Sequence, residues 1–147
     1  MIDSKLYSLG KKIFRINRSI TGNGVRETLR HVKKELKDLK ILEIKSGTKV
    51  YDWRVPPEWN VKEAYIEDKN KRKIVDIKNN NLHLVGYSIP LKMYLKKKEL
   101  LSRIHTLKSQ PKAIPYVTSY YNKYWGFCAS YNFIKKFKKN YSNDDKF

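Results

Sequence analysis

The chain of 147 residues carries 33 Lys and Arg against 14 Asp and Glu, a formal net charge of +19, and 40% of its residues are hydrophobic. That apolar fraction excludes wholesale disorder, and the single cysteine, Cys128, excludes an intrachain disulfide. No apolar run approaches the roughly 20 residues of a membrane span, and the N-terminus lacks the apolar region of a secretory signal. The composition therefore predicts a cytoplasmic protein without a membrane partner.

The charge excess is mostly lysine, in clusters at 69–73, 96–98 and 135–139. Such charge attracts nucleic acid or anionic membranes, but arginine, which reads bases and clamps phosphates, is the minority cation. Basic residues interleaved with tyrosine, as in "SYYNKYWGF", are able to stack single-stranded bases, although sheet packing explains them equally well. We favour a solvated surface and predict that any nucleic-acid binding is weak and non-specific.

Apolar residues at spacings of three and four predict two amphipathic helices near the N-terminus. The first covers residues 3–16, with Asp3 or Ser4 as its cap. Its apolar stripe is Leu6, Leu9, Ile13 and Ile16. The second follows the polar break "NRSITGNG", with Asn23 as its cap. Its stripe is Val25, Leu29, Val32, Leu36 and Leu39. Both stripes need a covering layer, so we expect these helices and the last helix to present an apolar face.

From residue 41 the apolar period changes to two, which predicts strands. The first two strands are "ILEIKS" and "TKVYDWRV", joined by a turn at Ser46-Gly47. A hairpin follows, made of "AYIED" and "KIVDIK" around "KNKR", and then a further strand, "LHLVGYSI".

The last part of the chain mixes both element types. The predictions are a short helix at "KKELLSRIHTL", a loop at "SQPKAIP", a buried strand at "YWGFCAS" and a helix at "NFIKKFKK". Helices come first and strands follow without regular alternation, so the predicted fold class is α+β.

The residue types that bind metals or act as nucleophiles are scattered. His31, His83 and His105 have no second ligand at the spacing of a zinc helix, so we expect structural or surface roles and no metal site. Cys128 follows Trp125 and a phenylalanine, an apolar setting that raises a thiol pKa. We predict a buried, inert cysteine.

The glycines of "TGNGVRETLR" precede a helix, an arrangement that presents backbone N–H groups to an anion. Because Arg18 and Arg26 flank them, these two residues are candidates for binding a carboxylate or phosphate of a substrate. The spacing matches neither of the usual phosphate-binding loops. A loop that caps the helix is the simpler interpretation.

The segment around Pro56-Pro57 is the other candidate. Asp52 and Trp53 precede the prolines, and Glu58 and Trp59 follow them. Asp52 and Trp53 are candidates for substrate binding. Nothing in the sequence fixes the distance between the carboxylates of Asp52 and Glu58. We favour a rigid aromatic corner, with the side chain of Trp53 buried.

Five segments, in this order, carry a resemblance to a known family. They are "RSITGNGVRETL", "SGTKVYDWRVPPEWNVKEAYI", "NNLHLVGYSIPL", "IHTLKSQPKAIPY" and "TSYYNKYWGFCAS". The chain resembles the N-terminal third of bacterial zinc aminopeptidase-like proteins of polysaccharide-biosynthesis gene clusters. Those proteins have a zinc-exopeptidase core, an inserted domain of unknown function and a C-terminal winged helix. The "IHTL" here replaces "LHTL", and the extra lysines are a second departure.

The resemblance implies three parts: residues 1–49 from the N-terminal helical pair of the core, residues 50–117 as a small, mostly antiparallel β inserted domain, and residues 118–147 returning to the core. It also implies a metal-assisted amide hydrolase, in which zinc activates water and polarises the carbonyl. The family's zinc ligands lie outside this chain, which alone would be inactive and without cofactor. Its partner would be the remaining C-terminal part of the protein or a second copy. The competing hypothesis is a stand-alone basic nucleic-acid-binding module.

Overall fold

The structure, a computed structural model, describes residues 2–120 and 122–147. The helices in this part of the chain are α1 (Ile2–Phe14), α2 (Asn23–Glu35), α3 (Lys97–Leu101) and α4 (Tyr131–Asn140). The strands are β1 (Lys49–Val50), β2 (Trp53–Arg54), β3 (Tyr65–Glu67), β4 (Lys73–Asp76), β5 (Ile104–His105) and β6 (Phe127–Cys128). The fold class is α+β, as predicted. The chain divides into two compact units, unit 1 ending at Val61 and unit 2 spanning Lys62–Phe147.

The two predicted N-terminal helices are present in unit 1 and contact each other. Helix α2 ends at Glu35 because Leu36 leaves the helical conformation, with φ −114° and ψ 85°. The prediction that the second helix continues to Leu39 is therefore wrong. The apolar stripes predicted for the two helices are incompletely covered, since Leu6 and Leu36 are 62% and 59% exposed. The remaining stripe residues of the two helices are half-buried: Leu9, Ile13, Val25, Leu29 and Val32.

The strands of unit 1 differ from the prediction. Residues 41–46 form no strand, and Leu42 is exposed. Strands β1 and β2 instead pair with each other, with Val50 opposite Trp53. The hairpin turn lies at Tyr51-Asp52, where Tyr51 has φ 51°. The predicted turn at Ser46-Gly47 is present, with Gly47 at φ 85°, but it precedes this hairpin and does not join two strands. Alternation in the sequence predicted a strand at 41–46, but no neighbouring strand pairs with these residues there.

The predicted hairpin of unit 2 is confirmed. Strands β3 and β4 are antiparallel, with Ile66 opposite Val75 and an irregularity after Ile66. The turn between them contains Lys71 at φ 62°. Ile66 and Val75 are buried in the core of unit 2.

The predicted strand at 82–89 is largely wrong. Its first residues form a 3-10 turn, Asn81–His83, because the side chain of Asn80 accepts a hydrogen bond from the N–H of Leu82. Isolated bridges then join Leu84 to Phe127 and Gly86 to Thr118.

The predicted helix at 97–107 is shorter than expected, since α3 ends at Leu101. The chain then continues into β5, which pairs in parallel with β6.

Helix α4 is confirmed, with Ser130 as its cap. Its apolar residues Ile134 and Phe137 are buried, so the expectation that the last helix joins an exposed apolar face is wrong. They lie in the core of unit 2 instead. That core consists of Ile66, Val75, Leu100, Ile104, Ala129, Ile134, Phe137 and Phe147.

Candidate functional site

The segment after the two prolines packs against the start of α2. The residue that caps α2 is Gly22, at φ 96°, so Asn23 is not the cap and its N–H bonds to Asn60 Oδ1 at 2.7 Å. A Cβ on Gly22 would lie 2.4 Å from the carbonyl oxygen of Trp59. Only glycine permits both this φ and this approach. The orphan N–H that begins the helix therefore bonds to a side chain of the chain itself and not to a ligand.

Arg26, a candidate for anion binding, is paired within the chain. Its Nη1 donates to Glu58 Oε2 at 3.0 Å, and its Nη2 to the other carboxylate oxygen. Glu43 is a more distant partner, 3.8 Å from Nε. The hydrogen bond from Arg26 lowers the pKa of Glu58, and that from Glu58 raises the pKa of Arg26. The guanidinium fork thus already binds a carboxylate bidentately, the geometry that a substrate anion would need.

The other candidates have separate surroundings. Arg18 donates from Nη1 to the carbonyl oxygen of Ile13 at 2.6 Å, near the end of α1. Asp52 is exposed in the hairpin turn. Trp53 is 44% exposed, so the prediction of a buried Trp53 is wrong. Trp53 lies in a sheet of only two strands, an element too small to bury a core of its own. Within the described residues, no hydrogen bond or ion pair joins Arg18, Arg26, Asp52 and Trp53 to one another.

The histidines bond to ordinary polar groups. His83 Nδ1 donates to the carbonyl oxygen of Cys128 at 2.7 Å, and His105 Nε2 is 2.9 Å from the hydroxyl of Tyr124. His31 lies 4.0 Å from Glu27. Among the residues that the structure describes, no group of three or more His, Cys, Asp or Glu side chains is placed to hold a metal ion. These residues therefore do not fit a zinc centre.

Cys128 is fully buried. Burial raises the pKa of its thiol to about 11, and a hydrogen bond with the backbone of Val117 only partly opposes that shift. The thiolate, which is the nucleophile, is therefore scarce near neutral pH. The prediction of a buried structural cysteine is confirmed.

Sequence reasoning missed a buried polar cluster around Asp68 in unit 2. Asp68 Oδ1 accepts from the N–H groups of Asn70 and Arg72, at 2.9 and 3.0 Å. Its Oδ2 accepts from Arg72 Nε at 2.8 Å and from the hydroxyl of Tyr141 at 3.0 Å. Burial by itself raises the pKa of Asp68, but these hydrogen bonds outweigh it and hold the pKa at about 2. An aspartate that opens a tight hairpin turn is the signal that could have indicated the cluster.

Lys97 is a second buried charge in unit 2. Its Nζ donates to the carbonyl oxygens of Lys138 and Tyr141, at 2.9 and 2.5 Å. These carbonyls belong to the last turn of α4 and the residue after it, so the amine satisfies acceptors that the helix leaves open. One lysine of the 96–98 cluster is thus structural.

The aromatic residues that could stack bases are partly covered by cations of the same chain. The guanidinium carbon of Arg103 lies 5.3 Å from the ring centre of Tyr124 and 5.1 Å from that of Trp125. Lys73 Nζ lies 3.7 Å from the ring of Tyr65. Such cation–π contacts occupy ring faces that a base would need. None of the described helices combines the length and the apolar character needed to cross a membrane.

Comparisons with known proteins bear on the whole chain. A candidate polysaccharide biosynthesis protein with an aminopeptidase-like domain, from Clostridium acetobutylicum, is 46% identical over 128 residues, which are 87% of this chain and 29% of that protein. A crystal structure of a candidate peptidase from the same organism matches with a TM-score of 0.88 at 43% identity, over 97% of this chain and 33% of the other. The chain thus spans about a third or less of these relatives.

These matches confirm the resemblance to aminopeptidase-like proteins of polysaccharide biosynthesis that the five segments indicated. Residues 58–144 also match DUF2172, a domain of unknown function. Because this match covers more than half of the sequence, the chain belongs to the DUF2172 family.

Proposed function

We propose that the chain is an architectural part of a zinc-dependent, aminopeptidase-like amide hydrolase linked to polysaccharide biosynthesis, and that the hydrolytic centre lies outside these residues. The observation that carries the proposal is the 46% identity to a relative of which this chain spans only 29%. The dispersed contacts of the three histidines and the structural use of Arg26 are consistent with it. The cytoplasm remains the compartment that we propose.

Within that whole protein, we assign residues 1–49 and 118–147 to the peptidase-like core and residues 50–117 to an inserted domain. The boundary between the compact units, after Val61, is a property of this chain alone and does not decide where such a core begins. In this division, the contact between Arg26 and Glu58 joins helix α2 of the core segment to the start of the inserted one.

The half-covered apolar stripes of α1 and α2 support the proposed partner. Side chains such as Leu6 and Leu36 remain exposed in unit 1, and an apolar helix face of this kind is normally covered by another layer. We propose that the remaining part of the same protein supplies that layer, and that self-association takes its place when the chain is alone.

The test compares this chain alone with this chain fused to the part of the Clostridium acetobutylicum relative that follows the matched region. Zinc per chain after dialysis and hydrolysis of a panel of aminoacyl anilides are measured for both. We expect the fusion to retain zinc and to hydrolyse an anilide, and the chain alone to do neither. A tightly held zinc in the chain alone, or a fusion that folds but holds no zinc, would contradict the proposal. The comparisons give no support to the alternative of a nucleic-acid-binding module.

A further inference from the structure

In the segment 89–95, apolar residues stand at every second position, which is the pattern of a half-buried strand. Most of the segment nevertheless has no strand beside it. Its apolar residues at every second position are Ile89, Leu91, Met93 and Leu95. Leu95 packs against the core of unit 2, whereas Leu91 and Met93 are 42% and 49% exposed. The apolar face of the segment therefore begins at the core and continues, only half covered, to its other end.

Hydrogen bonds hold both ends of this segment on one edge. Leu95 and Phe147 exchange two backbone hydrogen bonds, in which the nitrogen and oxygen atoms are 2.9 and 3.0 Å apart. At the other end, the N–H of Ile89 donates to the carbonyl oxygen of Tyr124 at 2.9 Å. In a strand, alternate residues direct their amides to the same edge. An extended backbone through residues 89–95 would therefore direct the amides of Leu91 and Met93 into the interval between Phe147 and Tyr124.

No strand pairs with the segment at that interval in the part of the chain that the structure describes. No backbone–backbone hydrogen bond joins Leu91 or Met93 to another described residue. An unpaired strand edge with a half-covered apolar face is an acceptor for another strand.

The contact at Phe147 also fixes the register of any strand that enters the interval. Lys96 and Lys146 form an antiparallel bridge, and Leu95 and Phe147 are the next pair along the ladder. A strand that continues from Phe147 would place its first residue opposite Tyr94, its second opposite Met93 and its fourth opposite Leu91. The second and fourth residues would exchange hydrogen bonds with the open amides.

We propose that the edge from Leu91 to Leu95 accepts one antiparallel strand, supplied by the polypeptide that follows the Phe147 position in the longer relatives. This inference rests on the proposed function, because it requires this chain to be part of a longer protein. About two thirds of each relative lies outside the matched region, and the proposed function places that part after Phe147. Continuity with the existing pair at Phe147 favours this occupant over a separate chain, because a tethered strand enters at a high effective concentration.

The test adds a tail to Phe147 and measures amide hydrogen exchange by NMR. One tail has the sequence of about six residues, an ordinary strand length, that follow the Phe147 position in the Clostridium acetobutylicum relative. The control tail has equal length and contains only Gly and Ser. We expect the relative's tail to slow exchange at Leu91 and Met93 by at least about tenfold. Exchange at Lys92 and Tyr94, whose amides face the other edge, should not change.

A matched pair of proline variants tests the direction of the hydrogen bonds. Met93→Pro removes a donor on the open edge, and Lys92→Pro removes a donor on the opposite edge. In the chain with the relative's tail, we expect Met93→Pro to abolish the slowing at Leu91 and Lys92→Pro to preserve it.

The proposal would be overturned by equal slowing with the Gly-Ser tail, by slowing at Lys92 and Tyr94 instead, or by no slowing at all. Slowing at Leu91 and Met93 that depends on protein concentration in the unextended chain would also overturn it, because a second copy would then be the occupant. If the fusion with the relative binds zinc and is active while the tail gives no slowing, only the strand proposal fails. If neither experiment succeeds, the proposed function fails with it.

Discussion

The guanidinium of Arg26 binds both carboxylate oxygens of Glu58, a residue 32 positions further along the chain. The pair joins the first turns of α2 to the segment that follows Pro56-Pro57. Asn60 bonds to the amide of Asn23 in the same place. The tryptophan- and proline-rich segment is therefore held against the start of α2 by these two contacts.

The ion pair predicts a pH dependence for unit 1. Since the folded pKa of Glu58 is lowered below its ordinary value of 4.5, the ionised pair stabilises the fold above pH 4.5. That contribution is lost as the pH falls through the lower, folded pKa. We therefore expect Glu58→Gln to lower the urea midpoint at pH 7 and to have no effect at a pH well below that folded pKa. Tryptophan fluorescence in a Trp125→Phe background reports this unit. Glu43→Gln is the control, and an equal loss there would contradict the pairing.

The contrast between Phe137 and Trp53 predicts very different costs of truncation. Phe137 is 2% exposed and stacks near Phe133, Tyr141 and Phe147. Phe137→Ala should lower the free energy of unfolding of unit 2 by about 3–5 kcal/mol. Trp53→Ala, at an exposed hairpin, should lower that of unit 1 by about 1 kcal/mol or less. Denaturant unfolding followed by circular dichroism measures both. Equal costs would show that Trp53 is buried after all.

The Asp68 cluster predicts acid sensitivity in unit 2. Its folded pKa of about 2 lies below its ordinary value of 3.8, so its contribution is complete above pH 3.8 and is lost as the pH falls toward 2. Asp68→Asn should lower the melting temperature at pH 7 and flatten its decline between these pH values. The control is Asp144→Asn, because the side chain of Asp144 is 92% exposed. Unchanged melting of Asp68→Asn would refute the role of the cluster.

The lysine-rich surface predicts only salt-sensitive binding of nucleic acid. Lysines that neutralise phosphates release counterions, so affinity should fall steeply as salt rises. In a fluorescence anisotropy titration, we expect similar affinities for unrelated sequences at low salt and no measurable binding near physiological salt. Selective binding that survives at physiological salt would revive the alternative of a nucleic-acid-binding module.

The sequence predicts an element correctly where the period of its apolar residues agrees with a local signal such as a helix cap or a turn. Helix α4 has an apolar stripe and a serine cap, and the β3–β4 hairpin has strands on both sides of a polar turn. Both are confirmed. The failure at residues 41–46 has a physical reason: alternation describes a strand that has a neighbour, and these residues have none in the described chain. Similarly, the helix predicted at 97–107 ends early because Ile104 and His105 pair with residues more than twenty positions away, a contact that no local pattern encodes.

At the candidate site, the sequence indicated the residues but not their contacts. Arg26 and Glu58 were both singled out, yet only the fold shows that they bind each other. Asp68 was missed because one of its hydrogen-bond partners, Tyr141, is distant in the sequence. Long-range partners of this kind determine whether a charged residue is available to a ligand.

The position of Phe147 constrains the order of events while the protein is being made. Its ring lies in the core of unit 2, 4.9 Å from Phe137 and 5.1 Å from Tyr141 between ring centres, and its backbone pairs with Leu95. On a ribosome, synthesis runs from the N-terminus, and domains fold as their residues emerge. Helices α1 and α2 are then free to associate early, whereas unit 2 must wait with Leu100, Ile134 and Phe137 incompletely packed until Phe147 has left the exit tunnel. For that period the apolar residues of unit 2 are accessible to chaperones.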